Sequence, residues 1–324
     1  MKLKDWGNFL LLGLIWGSSF LWIKVGQGGE LPVLGLLHPE GSTTFGPFML
    51  VTFRLLFGLL GMVGVLALRS QTFPRLPHVI GAFAFMGLFN TALPFLLITW
   101  GQRRIDSSLA SILNGTVPLF TIVIAHFWQE DDKITAGRLG GLIIGFIGLV
   151  ILVGKDFQFG ALTDNIVGEL AVVAAAISYA VAANFSRKHL RGQSPVVQTF
   201  MVLLFADVIM AAATPVAEPL VLPTSPLAWF AVIWLGLLGS CAAYLLFFSL
   251  LNAWGPTRTT MVTYVFPVIG LVLGILLLNE PADWRLFAGS ALVVVGILVV
   301  NGRLLWQALR PAAPAASATA TRAQ

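Results

Sequence analysis

Charge is scarce in this sequence. Lys, Arg, Asp and Glu make up 10% of the 324 residues, 57% are hydrophobic, and the mean hydropathy is +0.90. A soluble domain carries about 25% charged residues. A chain with so few cannot cover a globular surface with polar groups, so lipid is its expected solvent. Cysteine is scarcer still. Cys241 stands alone inside an apolar run, which excludes an intrachain disulfide and leaves a zinc site without a ligand cluster. The four histidines, His38, His78, His126 and His189, fall in loops or at the ends of apolar runs. An enzyme working at membrane depth needs a set of His, Cys, Asp or Glu there, and no carboxylate pair or nucleophile–base set is visible. No Walker-type loop is present either. The expectation is a protein that is not an enzyme, does not hydrolyse ATP and uses no cofactor or metal.

A net charge of +5 and a pI near 9.7 would suggest nucleic acid as a partner for a soluble protein. Here the cations sit in short loops between apolar runs, where membrane topology accounts for them. The expected partners are the lipid bilayer and a small-molecule substrate, with no nucleic acid. Nothing in the pattern bears on oligomeric state.

What is abundant is apolar length. A helix crosses the hydrocarbon core with about 20 mostly apolar residues, and ten segments meet that criterion: 7–25, 46–68, 79–99, 106–126, 138–154, 166–186, 196–216, 227–249, 257–278 and 284–303. The expected fold class is an all-α integral membrane protein with ten transmembrane helices. Met1 to Trp6 leads into the first segment without a small-residue cleavage site, so that segment reads as a retained helix. The fifth segment is glycine-rich (Gly140, Gly141, Gly145, Gly148) and the tenth repeats the trait with Gly289 and Gly296. Small residues let helix backbones approach closely, so these two are expected to be packing helices. The Ala-, Pro-, Ser- and Thr-rich tail, 304–324, has nothing to bury and is expected to be a disordered cytoplasmic tail.

With the N-terminus inside, thirteen Lys and Arg fall on the cytoplasmic side and five (Lys24, Arg103, Arg104, Lys155, Arg285) on the outer side, with Arg54 inside the second segment. The positive-inside bias predicts cytoplasmic termini. Trp6, Trp22, Trp100, Trp128, Trp254, Trp284 and Trp306 lie near predicted helix ends, as an interfacial aromatic belt would.

The chain also repeats itself at an offset of 148–150 residues. Pro118 matches Pro267, Glu130 lies near the position of Glu280, and Gly141, Gly148 and Gly154 match Gly289, Gly296 and Gly302. Earlier in the unit, Trp16 and Lys24 match Tyr179 and Arg187. The implied units are 1–154 and 166–303. A five-helix unit spans the membrane an odd number of times, so its second copy must be inverted. Inverted repeats are the architecture of many secondary transporters, where two related halves exchange conformations.

Those residues carry a family resemblance. Ile15–Trp16–Gly17–Ser18–Ser19–Phe20 with Lys24, Phe53–Arg54, the run Ala110–Ser111…Pro118…Glu130…Gly141…Gly148 and its copy Pro267…Glu280…Gly289…Gly296 resemble the EamA-type members of the drug/metabolite transporter superfamily. In size and span number the chain is similar to bacterial amino-acid exporters of the YddG type. The resemblance implies a multi-pass transporter of the bacterial inner membrane, with a central cavity lined by helices 1, 3, 4, 6, 8 and 9. It implies alternating-access export of amino acids, aromatic or otherwise amphipathic, and of related small metabolites. Two other cargoes stay open, lipophilic drug cations and sugar phosphates or nucleotide sugars. The last need fixed cations, and the middles of helices 3, 4, 8 and 9 carry none.

Polar side chains at membrane depth are costly and so are candidates for function. Asn90 in the third segment, Asn114 in the fourth, Ser240 in the eighth and Thr263 in the ninth are such groups. Each either meets a neutral or zwitterionic solute or bonds between helices. The chain has three tyrosines, Tyr179, Tyr244 and Tyr264, and all lie within segments rather than at the interface tyrosine prefers. With Trp16 they are expected to close or line a cavity, the alternative being a packed aromatic cluster. Pro118 and Pro267 interrupt equivalent segments and are candidate hinges, or static kinks. Arg54 and Asp207 occupy the equivalent second and seventh segments. They either pair, or Asp207 carries a coupling proton while Arg54 serves structure. Lys24 and Arg187 are expected to snorkel to the headgroups, and Glu130 and Glu280 to cap or anchor loops.

Overall fold

The computed structural model describes residues 3–68, 77–128, 133–154, 164–190, 193–254, 262–263, 265–300 and 302. Tyr264, Glu130 and the tail 304–324 lie outside these residues. Among the described residues the regular structure is helical, with a lone bridge between Leu31 and Leu36.

Ten spans follow one another. They are α1 (Leu3–Gly26), α2 (Pro47–Ala67), α3 (Pro77–Met86, Gly87–Ala92 and Leu93–Gly101 run together), α4 (Ser107–Asn114 and Val117–Trp128), α5 (Ala136–Val153), α6 (Asp164–His189), α7 (Pro195–Ala217), α8 (Pro226–Trp234, Leu235–Ala242 and Ala243–Trp254), α9 (Val265–Leu278) and α10 (Trp284–Val300). Eight are long and apolar enough to cross a bilayer, and the described parts of α9 and α10 are shorter but equally apolar. Pro47, Pro195 and Pro226 open their helices, where the missing N–H costs nothing and φ is already helical.

The halves meet with their equivalent helices antiparallel. A Cβ built on Gly141 of α5 would lie 2.7 Å from the Gly296 carbonyl oxygen of α10, and one on Gly148 would lie 2.7 Å from that of Gly289. As α5 advances, α10 therefore runs backwards. The α4–α9 pair does the same: Ser108 packs on Gly274, Ser111 on Gly270, and Gly115 on Pro267. This is the geometry of an inverted repeat. Both contacts are made by small residues, whose backbones gain dispersion by close approach where lipid supplies no hydrophobic drive. The opposite stripe of α5, Leu139, Ile143, Ile147 and Val150, is exposed, as a lipid-facing surface would be.

The end of the bundle that carries the 27–46 loop is tied across the halves by polar contacts. Glu280, between α9 and α10, accepts from the backbone N–H groups of Ser107 at 2.6 Å and Ser108 at 2.8 Å, and from the Ser108 hydroxyl at 2.5 Å. Glu218, after α7, accepts from the N–H groups of Met49 at 2.5 Å and Phe48 at 3.3 Å. Each carboxylate meets the donors that a helix start leaves unpaired. The capping role expected of Glu280 holds, and the helix it caps belongs to the other half. Thr43 and Thr224 exchange backbone-to-hydroxyl bonds, and His38 Nδ1 lies 2.6 Å from Ser225 Oγ. Lys24 does not snorkel. Its ammonium donates to the carbonyls of Gln102 at 2.7 Å and Ile105 at 2.9 Å, closing the turn between α3 and α4.

Candidate substrate site

Two equivalent helices, α3 and α8, each carry a π-bulge, over Gly87–Ala92 and Leu235–Ala242. In α3 the cause is local. Pro94 follows the bulge and has no N–H, and its ring would collide with a carbonyl in an α-helical register. The backbone widens so that the Leu93 N–H bonds to Leu88. Residue 94 would then donate to the Phe89 carbonyl; proline cannot, and the Ser178 hydroxyl of α6 does so at 2.7 Å. In α8 no proline is involved. The Ser240 hydroxyl donates back to the Leu235 carbonyl, five residues earlier, at 3.2 Å. Single-turn π-bulges are found disproportionately at functional sites.

The side chains at these bulges converge on Arg54. Arg54 is 5% exposed, and its Nε donates to Ser240 Oγ at 3.4 Å. The guanidinium stacks 3.8 Å from the centre of the Phe95 ring. Tyr179 and Tyr244 both lie close enough to feel its charge, and the Tyr244 hydroxyl meets the Asn90 side chain. Trp16 donates from Nε1 to the Gly239 carbonyl at 3.1 Å and packs edge-on against Tyr244, with ring centres 5.8 Å apart. Trp16 also contacts Phe247 and Phe266, so aromatic faces from α1, α8 and α9 adjoin the polar group. The main chain under Arg54 is held by tight helix packing: a Cβ on Gly58 would lie 2.9 Å from that of Ser240, and Gly236 fits against Phe57 and the Arg54 carbonyl. The cluster joins helices of both halves, which a site worked by rocking requires.

Of the residues singled out from the sequence, Trp16, Asn90, Tyr179, Ser240 and Tyr244 are gathered here. Asn114 is elsewhere, at the end of the first segment of α4. Its Oδ1 is buried and has no partner among the described residues. Thr263 sits half-buried ahead of α9, and Tyr264 lies outside the described residues. Pro118 is in the first turn of Val117–Trp128, just past the break at Gly115–Thr116. A Cβ on Gly115 would lie 2.6 Å from Pro267 Cγ, so the two equivalent candidate hinges adjoin one interruption. Arg54 and Asp207 do not pair. No ion pair joins them among the described residues, and Asp207, half-buried on α7, has an Oδ1 without a partner there. It follows the residues Phe205 and Ala206 that press against Gly87 at the start of the α3 bulge.

Arg54 and Phe95 join the group although neither was expected there from sequence alone. A basic residue inside an apolar run was visible, but only the fold brings it between two bulges from different halves.

The family model of the EamA-like transporter family matches this chain twice, over residues 6–154 and 166–302. The chain belongs to the EamA-like transporter family. Relatives extend along nearly its whole length. It is 25% identical to the uncharacterized transporter YoaV of Bacillus subtilis over 88% of this chain and 92% of that one. It is 26% identical to the uncharacterized inner membrane transporter YedA of Escherichia coli, over 95% and 94%. It is 22% identical to a probable amino-acid metabolite efflux pump of the same organism, over 95% and 98%. A solved crystal structure superposes with a TM-score of 0.64 at 18% identity, covering 95% of this chain and 99% of the other, which shows a shared fold. The EamA-like chain is thus a multi-pass membrane transporter built on a repeated unit. In it, Arg54 of the first unit meets Ser240 at the bulge of α8 in the second.

Proposed function

We infer that this EamA-like transporter is a secondary carrier that exports amino acids and related small amphipathic metabolites across a bacterial inner membrane by alternating access. The observation that carries this reading is the meeting of Arg54, Asn90, Ser240, Tyr179, Tyr244 and Trp16 at two equivalent π-bulges. It offers one fixed charge, neutral hydrogen-bonding groups and an aromatic wall, which suits a zwitterion with an apolar side chain. The probable amino-acid metabolite efflux pump among its relatives supports the same substrate class.

Export of lipophilic cations fits this group less well. A second positive charge about 6 Å from Arg54 would be repelled by about 3 kcal/mol at an effective dielectric of about 20, over a hundredfold in affinity. Sugar phosphates, being dianions, call for more than Arg54, the one cation in this group among the described residues. In this reading both termini are cytoplasmic, units 1–154 and 166–303 rock against one another, Pro118 and Pro267 act as hinges, Asn114, Thr263 and Tyr264 line the pathway, and Asp207 carries a coupling proton.

The test is uptake and counterflow in proteoliposomes holding the purified protein. The panel is amino acids, sugar phosphates and organic cations, each measured with and without an imposed pH gradient. Saturable amino-acid counterflow is the expected result. Movement of sugar phosphates or organic cations alone would overturn the reading.

A further inference from the structure

Among the described residues, Arg54 is a cation without an anion. Among the described residues its one hydrogen bond is the 3.4 Å contact to Ser240 and no carboxylate pairs with it. Asp207, the ionisable group in the equivalent helix, stands apart. Arginine keeps its proton throughout the physiological range, and a charge in the hydrocarbon region is retained where it has work to do. A purely structural arginine in such a place would be expected to saturate its donors on backbone carbonyls or a carboxylate, because each unpaired buried group is costly. Arg54 instead has one flat face covered by Phe95 and its Nε oriented by Ser240. Stacking and one hydrogen bond fix the plane of the guanidinium while leaving the terminal nitrogens, the pair that grips a carboxylate bidentately, without a hydrogen bond among the described residues. A Cβ on Gly239 would stand 3.8 Å from one of those nitrogens, so a larger residue would narrow the approach.

We propose that Arg54 is the carboxylate-binding residue of the transport site, and that the carried solute presents its carboxylate to the guanidinium edge while its apolar part lies against Trp16 and Tyr244. The inference rests on the amino-acid reading above and narrows it: the negative group of the solute is required and the site recognises it directly. The aromatic neighbours also make the site responsive. With no bound anion, the Phe95 ring and the Ser240 hydroxyl are what face the charge, and the solute carboxylate replaces those weaker contacts with a stronger one.

The probes are L-phenylalanine, its amide, phenethylamine and phenylacetate, tested by counterflow and by intrinsic tryptophan fluorescence on the full-length protein in proteoliposomes. Wild type is expected to prefer the acid over the amide by about tenfold or more, the scale of losing one charge-assisted pair. Arg54→Gln is expected to bring that ratio to about one by abolishing the preference for the acid rather than by raising use of the amide. Arg54→Lys keeps the charge but not the fork, so its ratio falls by about threefold or more. If Arg54→Gln does not yield monodisperse protein, wild type and Arg54→Lys decide the matter. A wild-type ratio near one, or a full ratio in a folded Arg54→Gln carrier, overturns the proposal while leaving amino-acid export standing. Transport of simple carboxylates such as phenylacetate that is lost in Arg54→Gln, without amino-acid transport, supports the proposal and removes the amino-acid reading. Transport of phenethylamine alone removes both.

Discussion

Glu280 of the second half caps the helix that begins at Ser107 and Ser108 of the first, with the carboxylate 2.6 and 2.8 Å from the two backbone nitrogens. A side chain from one repeat thus completes the hydrogen bonding of the other at one end of the bundle. Glu280 is 8% exposed, so water does not replace it when it is lost. Glu280→Ala is expected to cost about 2–3 kcal/mol, the scale of leaving buried donors unpaired, seen as a lower midpoint of thermal unfolding in detergent. Glu280→Gln should recover part of the loss, because an amide oxygen still accepts. Equal stability of all three proteins would show that the contact contributes nothing.

The α5–α10 seam gives a prediction with an adjacent control. A Cβ on Gly141 would lie 2.7 Å from the Gly296 carbonyl, whereas one on Gly140 meets nothing within 4 Å. Gly141→Val should abolish or sharply reduce the monodisperse peak in size-exclusion chromatography. Gly140→Val should leave the peak in place, since a lipid-facing valine is at home in hydrocarbon. If both variants behave alike, the seam is not where the halves are held.

Asn90 and Tyr244 come from the two bulged helices and meet through their side chains. Asn90→Ala and Tyr244→Phe are each expected to reduce transport by about tenfold with the fold intact. Combined, they should fall short of the product of the single effects, as residues sharing one interaction do. Multiplicative losses would mean that the two act separately.

Asp207 offers a test of coupling. A carboxylate with an unpartnered oxygen, half-buried in a membrane helix, is suited to take up and release a proton. Asp207→Asn is expected to retain counterflow, which needs no driving force, and to lose stimulation by an imposed pH gradient. Unchanged stimulation would assign the coupling, if any, to another group.

How much of this was legible beforehand differs from residue to residue. Gly141, Gly148, Gly289 and Gly296 marked α5 and α10 as packing helices, because a recurring small residue in an apolar helix permits close approach, and the fold shows that the two pack on each other. Lys24 misled, since a lysine at a helix end normally reaches for the headgroups, yet two unpaired carbonyls at the α3–α4 turn lay nearer. Pro94 breaks the α-helical register of α3 by itself, through its missing N–H. Its consequence, a π-bulge whose freed carbonyl is taken by Ser178, depends on a helix from the other half.

The amino-acid order alone determined the solvent, the ten spans and the doubled unit, because composition and 20-residue apolar periodicity are one-dimensional properties that a bilayer reads directly. It also supplied five of the six polar and aromatic side chains at the centre, as types that do not belong in hydrocarbon. Tertiary structure decided which of them meet. It drew Asn90, Ser240, Tyr179, Tyr244 and Trp16 around Arg54 and left Asn114 and Asp207 outside. It also turned an arginine that looked structural into a cation with no carboxylate beside it among the described residues. The reason is that a site between inverted halves is assembled from positions far apart in the chain, 186 residues for Arg54 and Ser240 and 223 for Trp16 and Gly239. Which side of each helix faces inward depends on bulges, breaks and close glycine contacts that take effect only once the helices are packed together.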